Sequence, residues 1–195
     1  MNKKIRIVLA STSPRRVKLL DQIGLDYTQL EPFDEEDSSH PNPRTRVMEN
    51  SVQKALSIKG EGGLIISADT LVFVNGEILG KPEDEKEAKG MLRKLSGNVH
   101  AVFTGVTLLD QGSGKMITSS EKTLVHIKNL TEEEVESYVI NGEPMGKAGA
   151  YAIQGLGAAL VDRVVGCFHN VMGLPLSLLW DMLKEFGVDP FDVID

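Results

Sequence analysis

Apolar positions fall along this chain in short runs that alternate between two periods. "IRIVLA" (5–10) is a β-branched run that reads as a buried strand. Ser13 then stands as an N-cap and Pro14 as the first residue of a helix, with Val17, Leu20 and Ile23 on one face and Gly24 just past its end. "DYTQLEPF" (26–33) predicts a second strand, and beyond Pro43 the spacing of Val47, Val52, Ala55 and Leu56 predicts a helix that carries Lys54. "GLIISADTLVFV" (63–74) reads as one long or broken strand crossing an Asp, followed by an Asn-Gly hairpin turn in "VNGEIL" (74–79). "PEDEKEAKGMLRKLSG" (82–97) starts acidic, ends basic and closes on Gly97, as a helix dipole favours. Strand-rich runs at 99–110 and 116–130 are joined through "QGSGK" as a hairpin. Thr131 and Glu134 then form a capping-box pattern opening a helix. A Gly/Ala-rich loop leads to a strand within 147–166, and "LPLSLLWDMLKEFG" (174–187) is a closing amphipathic helix.

Mixed strands and helices run through all 195 residues without a repeat, low-complexity tract or linker, so the expectation is one domain, 1–195, of α/β or α+β class with a mixed sheet. Aromatics are only 5% while glycine occurs 19 times, which suits close helix-on-sheet packing better than an aromatic binding platform. The formal net charge of −7 argues against a general electrostatic grip on nucleic acid or anionic membrane. Any polyanion must be held locally. Cys167 is the only cysteine, so no intrachain disulfide or Cys-based zinc site can form, and a cytoplasmic protein is the natural reading. The N-terminus offers too few apolar residues for a secretory core of roughly 7 to 15, and no run approaches the ~20 of a membrane span.

"LASTSPRR" (9–16) places a helix N-terminus, where unpaired N–H groups and the macrodipole favour an anion, directly behind a strand. Arg15 and Arg16 oppose that dipole, at a cost of a few tenths to about 1 kcal/mol each. Either an anion offsets this, or both arginines face solvent or the acidic patch at 34–37. Asp69 in "SADT" ends an apolar run, a position suited to a catalytic carboxylate held by a strand, though also to a turn former. Lys81 precedes a proline and alone reads as a solvated lysine. "EPMGKAGAYAIQG" (143–155) is aperiodic, yet holds Lys147, Tyr151 and Gln154 beside small residues that let a flat group approach the backbone; an ordinary surface loop is the alternative. The four histidines show no ligand spacing, and His100 and His126 read as structural.

Taken together, "LASTSPRRVKLL", "ISADTLV", "GEILGKP", "MLRKLSGNVHAVFTGV", "EPMGKAGAYAIQG" and "VMGLPL" resemble the Maf family, the septum-formation-inhibitor-like nucleotide pyrophosphatases, over about residues 5 to 180. The resemblance implies a cytoplasmic, metal-dependent house-cleaning enzyme cleaving nucleoside triphosphates to monophosphate and pyrophosphate. It further implies a two-lobed α/β fold with an elongated mixed sheet flanked by helices, similar to inosine triphosphate pyrophosphatases, and homodimers are common in the family. By motif, Asp69 matches the catalytic aspartate, and Arg16, Lys54, Lys81 and Gln154 match basic and amide site positions. Glu36 matches the acidic position, with Glu35 adjacent as its alternative, and Ser11 and Ser13 fall in the phosphate loop. An arginine after Ser-Pro, with Thr70 and Gln154, resembles the dTTP/UTP branch rather than the 7-methyl-GTP branch. Gly146 departs from the family's common Asp before Lys147.

A triphosphate carries about four negative charges, so an acidic protein binding it needs convergent Arg15, Arg16, Lys54, Lys81 and Lys147 plus a divalent metal. Glu36 and Asp69 offer the hard oxygen ligands that Mg²⁺ or Mn²⁺ takes. The competing expectation is a non-catalytic nucleotide-binding regulator of septum formation, which would share the same pocket.

Overall fold

The computed structural model describes residues 5–33, 37–60 and 62–189. In chain order these form β1 (Ile7–Ala10), α1 (Pro14–Gln22), β2 (Thr28–Leu30), α2 (Pro43–Ser57), β3 (Leu64–Val74), β4 (Glu77–Leu79) and α3 (Glu85–Leu95). There follow β5 (Val99–Asp110), β6 (Met116–Ile127), α4 (Glu132–Ile140), β7 (Val161–Val165), α5 (Phe168–Met172) and α6 (Leu176–Lys184). The strands make one sheet in the order β2-β1-β3-β5-β6-β7, with β4 on β3. β1 runs parallel to both neighbours, Val8 pairing with Thr28 and Ile65, whereas β3/β4 and β6/β7 are antiparallel. The expected α/β class with a mixed sheet is what forms. No helix among the described residues is long and apolar enough to cross a membrane.

The chain divides into two compact units, each considered by itself. One comprises the chain up to Asp69, Thr104–Glu121 and everything from Gly173 onward; the other comprises Thr70–Phe103 and Lys122–Met172. The division falls within β3, between Asp69 and Thr70.

In the first unit every residue of β1 is buried, as a parallel central strand demands. Val8 and Ala10 share a core cluster with Ala55, Ile58, Ile65 and Leu109. Helix α2 buries Val47, Asn50, Ser51 and Ala55, while Leu56, expected on its apolar face, is 53% exposed. Hydroxyls explain this rotation. Ser51 Oγ lies 2.8 Å from Thr107 Oγ1, which lies 2.9 Å from Thr118 Oγ1, and Ser67 Oγ donates to the Ser51 carbonyl at 2.6 Å. A satisfied hydroxyl ladder buries a polar helix face that periodicity alone assigns to solvent. The helix also lies close to β5. A Cβ on Gly105 would stand 2.3 Å from the Val47 carbonyl oxygen, so only glycine permits this approach.

In the second unit, α3 opens on Asp84, whose carboxylate accepts from the Glu87 N–H at 2.7 Å, and packs Met91, Leu92 and Leu95 with Val102, Val125 and Tyr138. The α4 capping box forms as expected. Glu134 N donates to Thr131 Oγ1 at 3.2 Å and Thr131 N to Glu134 Oε2 at 2.7 Å. The Asn-Gly turn places Asn75 and Gly76 at φ 49° and 84°, matching a tight β3/β4 hairpin. Two expectations change. The second strand contracts to three residues, and the loop after Lys147 coils into 3₁₀ turns at Ala148–Ala150 and Gly155–Leu160 before β7. Helix α5 had no periodic signal because five residues complete barely more than one turn.

Candidate active site

Asp69 sits at the point where a buried strand opens, its side chain 16% exposed. Helix α2 meets it with two side chains one turn apart, on the same helix face. Lys54 Nζ donates to Asp69 Oδ1 at 2.7 Å, and Asn50 Nδ2 donates to Asp69 Oδ2 at 3.0 Å. Asn50 is itself buried, and its Oδ1 accepts the Ser38 N–H at 2.7 Å. The carboxylate is thus fixed through both oxygens. Each oxygen keeps lone-pair capacity, since a carboxylate offers about four acceptor sites.

The helix start is organised around Ser11. Its Oγ accepts the Ser13 N–H at 3.1 Å and Arg16 Nη1 at 3.2 Å, while Arg16 Nε donates to the Gly173 carbonyl at 2.8 Å. Gln29 Nε2 donates to the Ser11 carbonyl at 2.7 Å, bracing the loop from β2. Ser13 occupies the N-cap position but makes no side-chain capping bond. The two arginines differ. Arg16 is tied by its fork; Arg15 is half-buried, and loss of hydration lowers its affinity for a proton below the ordinary value.

In the other unit, Thr70 follows Asp69 on β3, and Lys81 is exposed just beyond β4. The Gly149 N–H donates to the Gly80 carbonyl at 2.9 Å, joining the Lys81 segment to the loop that follows Lys147. Gly149 has φ 71°, and a Cβ there would meet Val72 at 3.0 Å. Lys147 Nζ donates to the Glu143 carbonyl. The Glu143 carboxylate reaches forward, accepting the Leu156 N–H at 3.1 Å and the Gly157 N–H at 2.7 Å, while Gln154 between these points is exposed. Burial pushes the Glu143 carboxyl up, but hydrogen bonds from Tyr138, Gly157 and Leu156 and the Lys147 charge outweigh it and hold it below the usual carboxylate range. Tyr138 Oη accepts the Ala152 N–H at 3.1 Å. His100 Nε2 lies 2.7 Å from Tyr151 Oη with the rings edge-on, and burial lowers the imidazole to about 4.

Of the residues singled out from sequence, Ser11, Ser13 and Arg16 meet at one node, and Lys54 meets Asp69. Lys81, Lys147 and Gln154 belong to one backbone-linked segment of the second unit. Glu35 and Glu36 lie outside the described residues. Asn50 and Glu143 were not anticipated. Asn50 lies four residues before Lys54, a spacing that could have marked it; Glu143 opens a motif already recognised, but its partners lie 13 and 14 residues away. Among the described residues no three His, Cys, Asp or Glu side chains cluster. Asp69 fits a hard cation as one carboxylate ligand, because Mg²⁺ typically takes one or two carboxylates and completes its shell with phosphate and water.

A loop tied at Ser11 ahead of α1, a carboxylate held by Lys54 and Asn50, and a mixed sheet flanked by helices define an α/β protein with two polar clusters in its first unit. The fold is shared with the Staphylococcus aureus Ham1 protein, at a TM-score of 0.56 and 16% identity, covering 92% of this chain and 98% of that one. The chain belongs to the Maf-like protein family, whose profile matches residues 6–186. Among its relatives is a "dTTP/UTP pyrophosphatase" of Pelotomaculum thermopropionicum, 50% identical over 184 residues, 93% of this chain and 96% of the relative. Another of the same name, from Caldicellulosiruptor saccharolyticus, is 44% identical over 192 residues, 94% of this chain and 96% of that one.

Proposed function

We propose that this protein is a nucleoside triphosphate pyrophosphatase that hydrolyses dTTP and UTP to the monophosphate and pyrophosphate. The observation that carries the reading is Asp69, fixed by Lys54 and Asn50 through separate oxygens, in a chain related across nearly its whole length to proteins of that name. Water adds to the α-phosphorus as the bond to the bridging oxygen breaks, so the monophosphate keeps the water oxygen and pyrophosphate leaves. Asp69 accepts a hydrogen bond from that water and orients it in line, while Lys54 and Asn50 keep the carboxylate from rotating away. Ser11, Ser13 and the α1 N-terminus receive phosphate oxygens, with Arg16 anchored behind them. Arg15, Lys81 and Lys147 add cationic charge, and Arg15, Thr70 and Gln154 select the pyrimidine base. Asp69 with Glu36 would hold Mg²⁺ or Mn²⁺, which supplies Lewis-acid neutralisation of phosphate charge.

The test is incubation of the purified protein with dTTP, UTP and 7-methyl-GTP, with Mg²⁺ and with a chelator, followed by product identification. Pyrophosphate release from dTTP and UTP, lost with the chelator and in Asp69→Asn, is expected. Orthophosphate release, or an undiminished rate in Asp69→Asn, overturns the mechanism. Turnover without any partner excludes a purely regulatory protein.

A further inference from the structure

The segment from Glu143 to Gly157 holds no α-helix or strand beyond short 3₁₀ turns, yet its polar contacts converge on one side chain. Glu143 closes the loop from both directions. Its backbone carbonyl receives the Lys147 ammonium, and its carboxylate receives the N–H groups of Leu156 and Gly157 at 3.1 and 2.7 Å. Tyr138 Oη accepts the Ala152 N–H at 3.1 Å, so a second polar link joins α4 to the middle of the loop. The fit around the carboxylate is tight. A Cβ on Gly155, whose φ is +67°, would stand 2.0 Å from Glu143 Oε1, and one on Gly157 would stand 2.5 Å from Tyr138 Oη. The backbone on either side of Gln154 is therefore shaped to admit this carboxylate.

We propose that Glu143 is a positioning residue that latches the loop, holding Lys147 and Gln154 in the geometry that receives the nucleotide. The inference rests on the reading of Lys147 and Gln154 as substrate contacts. Glu143 acts at a distance, because its oxygens are engaged with backbone N–H groups rather than open to a ligand. A charged acceptor on two N–H groups is worth more than a neutral one. Glu143→Gln keeps the shape but turns an amide NH₂ toward one of those donors, opening that side of the latch. Gly155→Ala reaches the same end from the opposite partner, displacing the carboxylate while leaving its charge.

The experiment compares wild type, Glu143→Gln, Gly155→Ala and the control Glu133→Gln, an exposed residue of α4. It measures dTTP turnover, melting temperature and amide exchange at Leu156 and Gly157. In both loop variants KM rises about tenfold with kcat changed less than about threefold, a loss of ground-state binding. Exchange at Leu156 and Gly157 accelerates in both, whereas the control matches wild type. Unchanged KM in both variants, or a fall in kcat that only tracks a lowered melting temperature, overturns the latch. A wild type that releases no pyrophosphate overturns the underlying reading instead, a result distinct from active enzyme with indifferent variants.

Discussion

Asn50 and Asp69 are joined by a 3.0 Å hydrogen bond in which a buried helix amide holds the strand carboxylate oxygen that Lys54 leaves free. The amide's own oxygen is occupied by the Ser38 N–H, which fixes which way the side chain points and makes Nδ2 the end facing Asp69. Asn50→Ala strips a partner from Ser38 and from Asp69 together. It is expected to lower stability by about 1–3 kcal/mol, as for a buried group left unsatisfied, and kcat by about tenfold through a loosened carboxylate. Urea unfolding and steady-state kinetics on one preparation check both. Full kcat in a destabilised variant would leave Asn50 with a structural role only.

The contrast between Arg15 and Arg16 gives a second expectation. Arg16 donates through two nitrogens of its fork to Gly173 and Ser11, a geometry that a single ammonium cannot reproduce. Arg16→Lys should therefore disorder the phosphate loop and raise KM for every triphosphate by about tenfold. Arg15 is half-buried without an ion pair among the described residues, and under the proposed function a phosphate group of the substrate or product would pair with it. Pyrophosphate should raise the melting temperature of the wild type and do so less in Arg15→Gln. Equal shifts would remove Arg15 from the anion site.

His100 makes stability depend on acidity in a defined window. Its imidazole is lowered from 6.5 to about 4 by burial first and by the charge of His126 second. The unfolded chain therefore takes up a proton that the folded chain refuses, and stability falls as pH drops from about 6.5 towards 4. At about 1.4 kcal/mol for each pH unit, the whole effect is at most about 3.5 kcal/mol. Among the described residues its Nδ1 is buried without a partner that would compensate the added charge. Denaturant unfolding at pH 7 and pH 4.5 should show a smaller difference in His100→Asn than in wild type. An identical difference would mean that the drop comes from carboxylates alone.

Thr131 offers a prediction confined to stability. Thr131→Ala removes the formed, solvent-exposed capping box that opens α4 and should cost about 1 kcal/mol in thermal or urea unfolding, with KM for dTTP unchanged. A changed KM would show that α4 transmits strain into the loop that Glu143 closes.

The features legible in the sequence are those written in local chemistry. Thr131 and Glu134 cap a helix three residues apart and Asn75–Gly76 turns a hairpin, each needing only its neighbours, whereas Asp69, read as closing an apolar run, stands mid-strand in a β3 that continues to Val74. What was misread depends on contacts made far along the chain. Leu56 belongs to the apolar spacing that predicts α2, yet Thr107 and Thr118 supply hydroxyls to a buried Ser51 while Leu56 faces out. The loop after Lys147 read as irregular because the acceptor for Leu156 and Gly157 lies at Glu143, beyond any local window. Asn50 escaped notice because asparagine in a helix usually faces water, and only the Asp69 carboxylate and the Ser38 N–H, both distant in sequence, give it a reason to be buried.

Gly105 sets the approach of α2 to β5, since a methyl there would collide with the Val47 carbonyl at 2.3 Å. Lys54 and Asn50 ride on that same helix, so the spacing of ammonium, amide and carboxylate is gauged by a residue that contributes no side chain at all. Any substituent at position 105 works as a shim beneath α2, and sequence drift there would detune the Asp69 cluster with each of its members still in place.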